Sequence, residues 1–176
     1  NNKFYTNYEI YKSYPPISNE NKFLLKEVDY VDLTWLINKE NLDVDTYWDE
    51  NIFLYFEALD FAKRIKDKNK KIFVADGINT YHLGASSHDK KLDYYSILNR
   101  NWHYNWGKFY YNKKHFGHFF AIKKSLPILV KLFFRYIKSL LLLKKKESNF
   151  IFAELYGLFC AIINKSSFYR PYKNIN

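Results

Sequence analysis

The stretch "DENIFLYFEALDFAKRI", Asp49 to Ile65, decides how the chain is read. Leu54, Ala58, Phe61, Ala62 and Ile65 recur at spacings of three and four, which predicts an amphipathic helix from Leu54 to Lys68. Glu57, Asp60, Arg64 and Asp67 fall on the opposite side. Read as a plain helix, Glu57 and Asp60 complement the macrodipole at its N-terminus, and Asp60 with Arg64 makes an i,i+4 pair. Read as a site, a carboxylate stands behind the aromatic wall of Phe53, Tyr55 and Phe56.

Working outward, "VDYVDLTWLIN" (28–38) is rich in β-branched and aromatic residues and predicts a strand. "NKENLDVDTYWDEN" is polar and turn-rich. After the helix, "KNKK" is a stop, "KIFVAD" a short strand, Gly77 a turn and "INTYH" a second extended piece. "LGASSHD" has the small side chains of a substrate-lining loop. Residues 1–26, with Pro15-Pro16, show no clear period and read as an irregular covering segment. A helix is expected from Leu92, broken at "NKKHFG", followed by an apolar helix from Ser125 to Lys146 with Pro127 in its first turn, and a last helix from Asn149 to Ile163.

Charge is uneven. The net charge is +10, and Lys113 to Lys146 holds nine Lys and Arg135 with no Asp or Glu. The rest is neutral, so a balanced globular part adjoins one strongly basic segment. On a wheel, Lys124, Lys131, Arg135, Lys138 and Lys145 fall on one face, with Leu, Ile and Phe filling the rest. No run approaches the length of a bilayer span. A helix of roughly 33 Å lying in the interface of an anionic membrane is expected. The interleaved aliphatics suit lipid better than a nucleic acid, so no nucleic-acid partner is expected. The single Cys160 excludes an internal disulfide and fits a reducing compartment. The chain has no Met and begins at Asn1, which suggests a fragment lacking its N-terminal part.

Other motifs carry less. Asp43-Val44-Asp45 is a polar turn with two carboxylates. His115 and His118 sit beside Lys113 and Lys114, as exposed imidazoles would. Trp102 and Trp106, four apart, read as core. There is no zinc spacing and no Gly-rich phosphate loop.

"VDYVDLTWLINKENL" followed by "YWDENIFLYFEALDFAKRIKDKNKKIFVADGINTYHLGASS" resembles the C-terminal half of the catalytic domain of family 2, rhamnosyltransferase-like glycosyltransferases. The family pattern runs V-D-x-V-x-G-A, then F-D-E-x-F-F-L-Y-F-E-D-x-D-L-x-x-R, then H-x-G-x-S. The likeness covers about residues 27–115, and "AELYGLFCAIINKSSFYRP" is similar to the family's closing helix. It implies an α/β fold: a partial GT-A (Rossmann-like) domain without its nucleotide-binding half, followed by C-terminal amphipathic helices. The segments implied are 1–26 as covering segment, 27–91 as the acceptor-side half, and 92–176 as a basic, membrane-associating helical tail.

The resemblance further implies an inverting transferase that moves a sugar from a nucleotide-sugar donor to a cell-surface glycan or lipid-linked acceptor. It would act in the cytoplasm at the inner face of the cell membrane. Glu57 and Asp60 match the first and last acidic residues of E-D-x-D, and His82 matches the family His near the metal or diphosphate. The divalent Mg or Mn would be held mostly by the missing half. Ala58 replaces the usual base, so Glu57, Asp60 or Asp32 would take its role, or the member is impaired. Trp35, Ser86 and Ser87 would line the acceptor side. The 176 residues alone are expected to show no transfer. The other expectation is a non-catalytic membrane-surface or interaction module derived from such an enzyme.

Overall fold

The computed structural model describes residues 16–18, 24–32, 35–38, 40, 47–76 and 92–171. The chain divides into two units, one drawn from residues 1–49 and 57–83, the other from residues 50–56 and 84–176.

The first unit is a small sheet with a helix. Strands β1 (Pro16–Ser18), β2 (Leu24–Val28) and β3 (Ile72–Asp76) form an antiparallel sheet in the order β1-β2-β3. Val28 pairs with Ile72 and Leu24 with Asp76. Helix α1 runs from Glu57 to Asp67. Its apolar stripe of Ala58, Phe61, Ala62 and Ile65 is buried, and Phe61, Ala62 and Ile65 form a core with Val28 and Ile72. Alternation along β3 sends Ile72 and Val74 to this core and Phe73 outward. The stop after α1 has a specific cause. Asn69 takes φ 57°, Lys70 N–H bonds to the Ile65 carbonyl and Asn69 N–H to that of Lys66. This double closure around a left-handed Asn ends the helix.

Two expectations shift here. The strand predicted at 28–38 ends at Val28, because the apolar residues after it serve packing: Trp35 and Ile37 lie against the α1 core without strand pairing. Residues 16–18 and 24–26, read as irregular, are strand. Asp43, Asp45 and the segment from Gly77 to Lys91 lie outside the described residues.

The second unit is helical: α2 (Asp93–Phe116), α3 (His118–Leu141) and α4 (Lys145–Ile162), all in mutual contact. Trp102, Trp106 and Phe109 of α2 form its core with Ala121 of α3 and Ala153, Leu158, Cys160 and Ala161 of α4. Trp102 and Trp106 are therefore packing residues, as their spacing suggested. Helices α2 and α4 approach so closely at Gly157 that a Cβ there would lie 2.9 Å from the Trp102 carbonyl carbon. The aromatic wall belongs to this unit. Tyr55 and Phe56 take consecutive positive φ angles of 64° and 70°, and Arg100 Nε donates to Tyr55 Oη at 2.6 Å.

The break near "NKKHFG" is a single residue, Gly117, at φ 90°. Helix α3 therefore starts at His118, and Pro127 sits inside it rather than in its first turn. His115 and His118 end up on different helices. Helix α3 stops at Leu141 instead of continuing to Lys146. Leu143 adopts φ 53°, with Lys144 N–H bonded to the Ser139 carbonyl and Leu143 N–H to that of Leu140. Lys145 thus begins α4 and leaves the basic stripe in which it was placed.

Candidate functional site

The carboxylates of the opening stretch have separate fates. Asp60 is fully buried, and Arg64 Nε donates to its Oδ2 at 2.9 Å. Arg64 Nη2 donates in turn to the Tyr47 carbonyl at 2.6 Å. A carboxylate that is fully buried and held this way ties α1 to the preceding loop and is poorly placed to meet a substrate. Glu57, at the first position of α1, is half-buried, and its Oε2 is buried with no hydrogen-bond partner among the described residues. Such an oxygen is costly to leave unsatisfied in a purely structural role.

Around Glu57 the same unit gathers a phenol and a second carboxylate. Tyr30 donates its hydroxyl to Asp32, which is exposed. Burial first, then the Asp32 charge and hydrogen bond, then the Glu57 charge, push the Tyr30 hydroxyl above its ordinary range. The phenol therefore stays protonated and able to donate. Tyr30 was not singled out from sequence. Its signal was its place two residues before Asp32 in "VDYVD", just past the end of β2.

Trp35, expected to line an acceptor pocket, packs edge-on against Phe61 at 5.2 Å and Trp48 at 6.0 Å. Its Nε1 is buried without a hydrogen-bond partner among the described residues. His82, Ser86 and Ser87 lie outside the described residues. Among the described residues, no three His, Cys, Asp or Glu side chains come together as a metal-holding group.

The basic helix carries a second candidate surface, in the helical unit. Ala121, Ser125, Leu132 and Ser139 of α3 are buried. Phe119, Ile122, Leu126, Val130, Phe133, Ile137 and Leu140 are exposed and recur every three or four residues, forming a second apolar face. Phe152 of α4, also exposed, extends this face through a ring contact with Tyr136. At the turn between α3 and α4, Leu141 is 79% and Leu143 89% exposed, next to Lys144, Lys145 and Lys146. Lys124, Lys131, Arg135 and Lys138 lie about 150° round the helix from the centre of the apolar face. The helix thus has three faces: core, outward apolar and basic. Among the described residues, no helix is long and apolar enough to cross a membrane.

No family model, no curated protein and no solved structure matches the chain.

Proposed function

We propose that the chain is the acceptor-side part of an inverting glycosyltransferase of partial GT-A architecture, working at the inner face of the cell membrane. The observation that carries this reading is the unpartnered Glu57 oxygen, set beside the Tyr30–Asp32 pair at the start of α1. In the proposed reaction Glu57 takes the proton of the acceptor hydroxyl as that oxygen attacks the anomeric carbon of a nucleotide sugar, and the nucleotide diphosphate departs. Tyr30, held protonated, donates to Asp32 and keeps that carboxylate oriented. Ala58 contributes no acid–base group, so the role falls to its neighbour. The divalent ion such transfers use would neutralise the leaving diphosphate, and its ligands would lie outside the described residues, with His82 as a candidate. The acceptor is a cell-surface glycan or a lipid-linked species.

Sugar-nucleotide turnover by the full-length protein tests this reading. Glu57→Gln is expected to lower turnover by about a hundredfold or more, the usual range for a general base. Unchanged turnover would remove Glu57 from the role.

The outward apolar face of α3 supports a second reading that needs no catalysis, a membrane-surface module derived from such an enzyme. Exposed apolar residues in one continuous strip mark an interaction surface. The strip, the leucine turn and the adjoining lysines match a helix lying in an anionic lipid interface. Absence of nucleotide-sugar turnover in the full-length protein, together with retained vesicle binding, would favour the module.

A further inference from the structure

The basic face of α3 does not simply point into solvent. Lys131 and Arg135 overhang a groove of about 330 Å³, walled by Tyr104 and Lys108 of α2 and Glu154 of α4. A smaller depression of about 190 Å³ continues it along α2 past Tyr104 to Arg100 and Tyr55. Three cations therefore meet one carboxylate in the main groove. Arg135 Nη1 stands 4.0 Å from Glu154 Oε2, a loose pair. Burial pushes the Glu154 carboxyl up, against the pull of Arg135.

Lys108 is the informative residue. It is half-buried, burial pushes its ammonium down from the ordinary range, and that ammonium has no hydrogen-bond or ion-pair partner among the described residues. A partly desolvated ammonium without a partner is unfavourable for the fold alone. It becomes favourable once an anion enters the groove.

We infer that this groove binds the phosphate of a membrane lipid headgroup, with Lys108, Lys131 and Arg135 around the phosphate oxygens and Tyr104 donating from the side. This rests on the reading of α3 as a helix lying in the membrane interface, and it names what that helix recognises there. The geometry favours lipid as the source of the phosphate. A helix with side chains is about 10–12 Å across, and an interfacial helix sinks about 5–10 Å into the headgroup–acyl boundary. With the outward apolar face down, the groove then stands at the level of the phosphates. A phosphomonoester carries about −1.5 to −2 charges at neutral pH, so three cations favour it over a diester.

The test is vesicle co-sedimentation of the whole chain. It uses phosphatidylcholine vesicles doped to equal surface charge with either phosphatidic acid, a monoester, or phosphatidylserine, a diester. The wild type is expected to prefer phosphatidic acid. Lys108→Gln should abolish that preference and weaken binding to phosphatidic acid by at least about fivefold, the effect of one basic residue at an anionic surface. Lys123→Gln, an equal loss of charge outside the groove, should keep the preference. Thermal denaturation of Lys108→Gln should show a fold as stable as the wild type or more so, which separates lost binding from lost structure. Equal binding by wild type and Lys108→Gln would overturn the groove while leaving membrane association in place. No binding of the wild type to any vesicle would remove the membrane reading itself. In that case, binding of soluble glycerol phosphate would mark the groove as a site for a free phosphate, contrary to the lipid assignment.

Discussion

Asp60 and Arg64, one helical turn apart, form a pair in which the carboxylate is fully buried and the guanidinium bridges onward to the Tyr47 carbonyl. This relationship separates Asp60, which holds the unit together, from Glu57, whose Oε2 has no hydrogen-bond partner among the described residues. Removing one member of a buried pair leaves the other charge uncompensated. Asp60→Ala is therefore expected to destabilise the fold by about 3–5 kcal/mol. Glu57→Gln should change stability by less than about 1 kcal/mol. Urea denaturation of the two variants checks both values, and equal destabilisation would contradict the division.

Leu143 predicts opposite signs for stability and binding. It occupies the left-handed closing position of α3, where Asn costs less than a branched aliphatic, yet it is 89% exposed. Leu143→Asn should raise stability by up to about 1 kcal/mol. The same change should weaken partitioning onto anionic vesicles. A variant that is more stable and binds vesicles as before would mean that the leucine turn does not enter lipid.

Gly157 tests how tightly the helical unit is packed. The added Cβ of Gly157→Ala would meet the backbone of Trp102, which cannot rotate out of the way as a side chain could. Overpacking of this kind costs about 1–3 kcal/mol, in spite of alanine's better helix propensity. Thermal unfolding of the variant should therefore shift downward, and an upward shift would contradict the close approach of α2 and α4.

His103 supplies a pH dependence. It is buried, and its Nε2 lies 2.9 Å from the Tyr169 carbonyl and 2.9 Å from Arg170 Nη1. Burial, opposed by the Tyr169 carbonyl and reinforced by the Arg170 charge, pushes its pKa down to about 4. The unfolded chain protonates this imidazole near its ordinary value, about 6.5. Between those values the unfolded state binds more protons, so stability is full above about pH 6.5 and falls as pH drops toward 4, by about 3 kcal/mol in all. In His103→Gln that part of the pH slope should be absent when unfolding is followed from pH 7 to 4.

The amphipathic part of the fold was legible in the sequence. The spacing of Ala58, Phe61, Ala62 and Ile65 located α1, and "KIFVAD" located β3, because period and burial coincide there. The ends were not legible where a non-glycine residue adopts a left-handed backbone. Asn69 gives some warning, but Leu143 gives none, and so the sequence pattern runs the basic helix past its true end, to Lys146. For α3 the wheel separated basic from apolar positions, but it could not divide the apolar ones into a core face and an outward face. That division depends on where α2 and α4 pack. The candidate site was legible only in its carboxylates. Burial of Asp60, the unpartnered Glu57 oxygen and the influence of Glu57 on Tyr30 are tertiary facts with no periodic trace.

The central claim is that Glu57 reacts and Asp60 holds. It is tested most directly by measuring sugar-nucleotide turnover per folded molecule in full-length Glu57→Gln and Asp60→Asn proteins, with the folded fraction read from the same samples. Glu57→Gln is expected to stay folded and lose turnover by about a hundredfold or more, while Asp60→Asn loses stability but keeps near-normal turnover in the molecules that fold. Full turnover in Glu57→Gln, or loss of turnover in well-folded Asp60→Asn, would contradict the account.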